Sequence, residues 1–283
     1  MPDLNNKRIL HYLHRFLTLT LILIIIYQHM TQAQTKYIYI QGPLKKSEHL
    51  KEIPFQVSFE STKITLFKTL GIKYKNDKVG NHHYENMYGT LMAHLTDKKF
   101  NLLEIGLGCH LNSMGTSIPL WREFCPNATY SLLEYVAKCA ESFRGKVDNL
   151  FLGDQSDLDL LRIVGANAGP FQVVVDDGGH SRKQQVNSLV GLWLFVQKNG
   201  GIYVIEDFYY SFSKNLNYYD SNESSFDLIS QLIILFNDPT EIEHLHGSKV
   251  IYPEIKVKEH AREISKDLMS IHCFKRVCVL VKK

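Results

Sequence analysis

The 283-residue chain starts with scattered basic residues and the apolar run "FLTLTLILIIIY" (16–27), and it becomes regular only beyond residue 100. From there, continuous apolar segments recur: "FNLLEIGLG", "ATYSLLEY", "VDNLFLGDQ", "FQVVVDD" and "GGIYVIED". Apolar runs without two-residue alternation are the mark of parallel strands covered on both faces. Helical spacing fills the gaps. Ser156 with Asp159 predicts a capping box ahead of "LDLLRIV", with Gly169 as the stop. Val186, Leu189, Val190, Trp193 and Val196 recur at helical spacing and end at Asn199-Gly200-Gly201. Upstream, "HHYENMYGTLMAHL" (82–95) has helical spacing and "KYIYIQG" (36–42) reads as a short strand. The closing "MSIHCFKRVCVLVKK" predicts two strands joined at Lys275-Arg276 in an antiparallel hairpin. Strand–helix alternation of this kind predicts an α/β, doubly wound, mostly parallel sheet with right-handed crossovers, closed by that hairpin.

Composition adds bounds. An apolar content of 45% and a charged content of 22% suit a globular chain with one substantial core. The net charge of +3 comes from 32 basic and 29 acidic side chains without a basic patch, which argues against nucleic acid as a partner. At the N-terminus, Lys7, Arg8 and Arg15 precede the apolar run, which is shorter than the roughly 20 residues that span a bilayer. With Thr31-Gln32-Ala33 behind it, residues 1–33 read as a signal peptide cut after Ala33, or as an uncleaved signal-anchor, the one route to membrane attachment. A buried or amphipathic N-terminal helix of a cytosolic protein is the alternative. Either leading reading places the rest in the secretory pathway, lumenal or secreted, with residues 34–74 as an N-terminal extension or linker. The five cysteines (109, 125, 139, 273 and 278) form neither a metal spacing nor a dense disulfide framework. Cys273 and Cys278 can face each other across the hairpin, and the odd count leaves at least one thiol free.

The polar clusters fall at the carboxyl ends of the strands, where open α/β sheets bind ligands. Gly106 and Gly108 let the backbone approach a ligand closely, but Leu111 holds the third glycine position of a dinucleotide fingerprint. A plain tight turn is the alternative. Glu134 ends the second strand, where a carboxylate can accept from both ribose hydroxyls of an adenosine cofactor. Asp154 follows the third strand, near the expected adenine position, or serves as a turn residue or cap. Asp176-Asp177 and Glu206-Asp207 end neighbouring strands. Four such acids repel one another unless a cation joins them, and hard oxygen ligands suit Mg²⁺, Mn²⁺ or Ca²⁺. His180 opens the next helix toward the same space and can act as a base. Asp176 can equally support the site from behind or cap that helix.

The stretches "NDKVGNHHYENMY", "LLEIGLGC", "SLLEYVAKC", "GDQSDLDLL", "VVVDDGGH" and "GGIYVIEDFYYSF" together resemble the S-adenosylmethionine- and Mg²⁺-dependent sugar O-methyltransferases of macrolide pathways. The resemblance spans about residues 75–213. It implies a seven-stranded class I methyltransferase sheet in a domain of residues 75–283. It also implies Mg²⁺ (or Mn²⁺) on Asp177, Glu206 and Asp207, with His180 as general base. Gly106, Gly108, Glu134, Asp154 and Asp176 would line the S-adenosylmethionine site. Asp77, His82 and Tyr84 match a segment that abuts cofactor and acceptor. The sequence departs at Asn76, where relatives usually carry threonine, and at Gly179, where many carry serine. The macrolide enzymes also carry a separate N-terminal domain that builds their oligomer, whereas residues 34–74 alone lie between the expected signal segment and the Asp-Lys segment here; an oligomer is one expectation.

Moving a methyl group from a sulfonium to a hydroxyl requires the oxygen to lose its proton. An alcohol as weak an acid as water lies some nine pK units above histidine, roughly 12 kcal/mol of uphill transfer. A divalent ion that acidifies the hydroxyl lowers that barrier, and histidine then collects the proton. The implied acceptor is a small-molecule or glycan hydroxyl. A catechol-type phenolic O-methyltransferase, an NAD-dependent oxidoreductase and a non-catalytic secreted or lumenal binding protein of the same fold are the competing readings. The missing third glycine and the surplus of acids count against the oxidoreductase.

Overall fold

The computed structural model describes residues 52–57, 61–111, 114–215, 217–237 and 258–283. The proposed signal segment, the "KYIYIQG" strand and about half of the 34–74 extension lie outside the described residues. The elements are α1 (Ser61–Tyr74), α2 (Glu85–Leu91), β1 (Asn101–Ile105), α3 (Ser117–Phe124), β2 (Thr129–Glu134), α4 (Ala137–Glu141), β3 (Asn149–Leu152) and α5 (Leu158–Ala168). There follow β4 (Val173–Asp176), α6 (Arg182–Leu192), β5 (Ile202–Ile205), α7 (Ser225–Phe236), α8 (Glu259–Lys266), β6 (Leu268–Phe274) and β7 (Val277–Lys282).

The seven strands form one sheet in the order β3-β2-β1-β4-β5-β7-β6. The first five are parallel; β7 runs antiparallel between β5 and β6. The parallel strands are buried along their length apart from the first residue of β2, as their unbroken apolar runs require. Strand order reverses between β1 and β4, and that switch point opens the crevice in which such sheets bind ligands. On one face, Leu102, Val173, Val175 and Val204 share a core with Phe67, Tyr88, Trp121 and Phe124 from α1, α2 and α3. Phe67 stacks on Tyr88 at 4.9 Å and meets Phe124 edge-on at 5.0 Å.

Two boundaries differ from the sequence reading. Asp157, not Ser156, caps α5: its carboxylate accepts from the amides of Asp159 and Leu160, while the Ser156 amide is bound by Asp154 Oδ1. The helix after "VVVDDGGH" ends at Leu192 and tightens into a 3₁₀ turn over Trp193–Phe195. At its start, Ser181 and Gln184 form a reciprocal capping box. Cys273 and Cys278 form a disulfide across the closing hairpin. A second disulfide, Cys109–Cys139, ties the loop after β1 to α4, and Cys125 is a buried free thiol.

Candidate active site and metal centre

A cavity of about 620 Å³ opens over the carboxyl ends of β1, β2 and β4. Its walls include Gly106, Gly108 and Glu134 on one side and Asp77, Asp177, His180 and Asp207 on the other. Sheet register explains the meeting. Ile105 pairs with Asp176, and Asp176 with Ile205, so Gly106, Asp177 and Glu206 stand abreast one residue past the paired ends.

On the glycine side, Gly106 adopts φ +94°, and a Cβ there would lie 2.2 Å from the Asp177 carbonyl oxygen. Only glycine lets the two loops close on each other. Glu134 is fixed by two backbone amides: Leu107 N donates to Oε2 at 2.8 Å and Val136 N to Oε1 at 2.7 Å. Three other residues expected to meet the cofactor are not brought to the cavity wall. Asp154 closes the turn onto Ser156 N. Asp176 is wholly buried and accepts from Gln155 Nε2 at 2.8 Å and Tyr203 OH at 3.1 Å. Its burial outweighs those bonds and pushes its carboxyl up to about 7. Strand alternation turns it to the sheet face opposite Asp177. Tyr84 is buried and donates to Asp207 Oδ1 at 2.9 Å, so it orients that acid from behind.

The acidic side has a feature that the sequence reading missed. Lys78 is 1% exposed, and its ammonium lies 2.5 Å from Asp177 Oδ2, 2.9 Å from Glu206 Oε1 and 3.5 Å from Glu104 Oε1. Burial pulls the lysine pKa down, but the charges of Asp177, Glu206 and Glu104 outweigh it and hold it well above the ordinary value. Glu206 is pushed well above the carboxylate range by burial and the Asp177 charge, against the pull of Lys78. Its carboxylate also accepts from Tyr88 OH. The two-residue alternation of strands could have revealed this cluster. Glu104 pairs laterally with Val175, and Val175 with Val204; Asp177 and Glu206 lie two residues further on, so all three acids share one sheet face.

Asp177, His180 and Asp207 each offer one ligand atom within 4.8 Å of the others. His180 Nε2 lies 3.5 Å from Asp207 Oδ2 and 3.9 Å from Asp177 Oδ1, and its ring stacks parallel on Tyr210 at 5.3 Å. On the far side of Asp207, His82 Nδ1 is 3.1 Å from Oδ1. Burial works upward on Asp207, but the His82 bond and the His180 and His82 charges hold it below its usual value. The same contact raises His82. The two carboxylates are hard oxygen donors of the kind that suit Mg²⁺ or Mn²⁺, and the acids here outnumber the single ammonium among them. Glu206, expected as a ligand, is not in this group, because Lys78 and Tyr88 hold its carboxylate.

The chain has detectable relatives. It is 33% identical over 141 residues to the 8-demethyl-8-(2-methoxy-alpha-L-rhamnosyl)-tetracenomycin-C 3'-O-methyltransferase of Streptomyces olivaceus, covering 49% of this chain and 35% of that protein. It is 29% identical over 147 residues to the L-olivosyl-oleandolide 3-O-methyltransferase of Streptomyces antibioticus, covering 50% and 37%. With the mycinamicin VI 2''-O-methyltransferase of Micromonospora griseorubida it shares 31% identity over 145 residues, 49% of this chain and 35% of that one. No family model matches. The solved structure of the MycE methyltransferase with Mg, SAH and mycinamycin VI superposes with a TM-score of 0.59 at 23% identity, covering 76% of this chain and 53% of that one. The fold is that of a class I methyltransferase. Similarity to the sugar O-methyltransferases, read first from the strand-end motifs, is thus found in whole-sequence comparison as well. The chain aligns with only a little over a third of the length of these curated relatives.

The expectation of a secretory location is corrected. The relatives, which do not support that location, are methyltransferases of natural-product biosynthesis in Streptomyces and Micromonospora. An apolar run preceded by basic residues is a short pattern that many chains meet without being exported.

Proposed function

We propose that the chain is an S-adenosylmethionine-dependent O-methyltransferase that methylates a hydroxyl on the sugar of a glycosylated small molecule, with residues 75–283 as its methyltransferase domain. The carrying observation is a single cavity walled on one side by the Gly106 loop with Glu134 and on the other by Asp177, His180 and Asp207. Sequence similarity to three sugar O-methyltransferases supports the same reading.

The glycine loop and Glu134 bind the adenosine end of the cofactor, Glu134 through the lone pairs its backbone amides leave free. Asp177 and Asp207 would hold Mg²⁺, with His180 close by. When bound, the ion supplies acidification and orientation of the acceptor hydroxyl. With the cofactor bound to supply the methyl group, His180 would accept the proton of the acceptor hydroxyl at Nε2. Tyr210 keeps the imidazole plane fixed, and Tyr210 with Tyr218 gives the cavity an aromatic wall on which the apolar face of a sugar can stack. Asp77 lines the same cavity and is left for acceptor contact.

Calorimetric titration of the full chain with S-adenosylmethionine, with and without Mg²⁺, tests the reading. Binding that yields methylated product from a rhamnosyl or deoxysugar glycoside only when Mg²⁺ is present is the expected result. Absence of cofactor binding under both conditions sinks it.

A further inference from the structure

Lys78 has no part in the scheme above, yet it is a buried cation set among three acids at the site. Its ammonium contacts Asp177 and Glu206 and lies 3.5 Å from Glu104. Glu104 is itself held from the other side by Ser117 Oγ at 2.8 Å, Trp121 Nε1 at 3.1 Å and Tyr130 OH. The Lys78 backbone is pinned too. Its amide donates to Asn76 Oδ1 at 3.1 Å, Asn76 Nδ2 donates to Thr116 Oγ1 at 2.9 Å, and the Lys78 carbonyl accepts from Tyr84 N at 2.8 Å. One short segment therefore brings Lys78 to Asp177, and His82 and Tyr84 to Asp207.

We propose that Lys78 is a positioning residue for the metal centre: its ammonium holds the Asp177 and Glu206 carboxylates together before the ion arrives, and it then competes with the ion for Asp177. The inference rests on the metal-dependent reading above. Its two effects oppose each other. Three acids on one sheet face, Glu104 and Glu206 buried and Asp177 partly so, repel without a cation between them, so the lysine favours the folded, ion-free protein. A cation in contact with a ligand oxygen also lowers the negative potential that draws in a second cation, so the lysine weakens metal binding. A lysine that merely filled space would not couple these signs, since its loss would loosen the site and weaken both.

The test compares the wild-type full chain with Lys78→Met and Lys78→Arg, by Mg²⁺ calorimetry and by thermal unfolding without cofactor or acceptor. Lys78→Met is expected to unfold at a lower temperature without Mg²⁺ and to bind Mg²⁺ roughly ten-fold or more tightly. Lys78→Arg, which keeps the charge, is expected to retain an affinity near that of the wild type. Mg²⁺ binding by folded Lys78→Met that is unchanged or weaker overturns the proposal. If Lys78→Met does not fold, Lys78→Met/Glu104→Gln takes its place, removing one charge of each sign and leaving Asp177, His180, Glu206 and Asp207 intact. It too is expected to bind Mg²⁺ more tightly than wild type, and equal or weaker binding again overturns the proposal. Wild-type protein that binds no Mg²⁺ removes the metal-dependent reading itself, a different failure from a wild type that binds and a variant that does not tighten.

Discussion

His180 has φ +56° and Asp207 φ +50°, a left-handed backbone that non-glycine residues adopt at a cost. The two residues face each other, and the surrounding bonds hold that geometry: Tyr210 stacks on His180, while Tyr84 and His82 bind Asp207. Histidine and asparagine both tolerate this backbone region, so His180→Asn tests the imidazole with little change of fold. It is expected to lower kcat by roughly 10²- to 10⁴-fold while leaving cofactor affinity nearly unchanged. A parallel loss of affinity in calorimetry would demote His180 to a structural part. Tyr84→Phe removes the hydroxyl donated to Asp207 and leaves a largely buried carboxylate one donor short. Denaturant unfolding should register a loss of about 1.5–3 kcal/mol.

At the scale of the elements, the cavity exists because the loops after β1 and β4 touch. Gly106→Ala sets a Cβ 2.2 Å from the Asp177 carbonyl in a backbone conformation that disfavours any side chain. The variant is expected to lose about 1–3 kcal/mol of stability and, since the loops must part, most of its cofactor affinity. Unaltered affinity would show that the loop contact is incidental. The Cys109–Cys139 bridge closes a 30-residue span between the glycine loop and the helix after Glu134. Chain-entropy reasoning gives such a link about 2–4 kcal/mol, to be checked by unfolding the Cys109→Ser/Cys139→Ser variant beside wild type under non-reducing conditions. The strands and the acids at their ends were legible because apolar runs and terminal carboxylates are local patterns. The Cys109–Cys139 pairing was not, since nothing local says which of the three cysteines outside the hairpin meet. Lys78 escaped for the same reason: it lies on a connecting segment 99 residues from Asp177, and only the fold brings them together.

Over the whole molecule, the parallel sheet and closing hairpin follow from the alternation of runs, whereas the packing of residues 52–57 has no sequence signature. Phe55 from that segment lies against both His94, in the turn after α2, and His272, on β6; the ring centroids are 6.2 Å and 5.7 Å apart. Among the described residues neither ring nitrogen of His94 has a hydrogen-bond partner, and burial holds the pKa of both histidines below the ordinary value. A histidine depressed in the folded state takes up its proton first in the unfolded chain. The unfolded state therefore binds more protons in the window below about pH 6.5, and stability falls as pH drops through it. Above that window both states are neutral and the two residues contribute no pH dependence. Replacing both with leucine removes the contribution without adding a charge. Unfolding temperatures measured from pH 7.5 to 5.5 are expected to fall less steeply for His94→Leu/His272→Leu than for wild type, with the two curves parallel above pH 7. Curves that stay parallel down to pH 5.5 would move the acid sensitivity elsewhere and leave the Phe55 contact as packing alone.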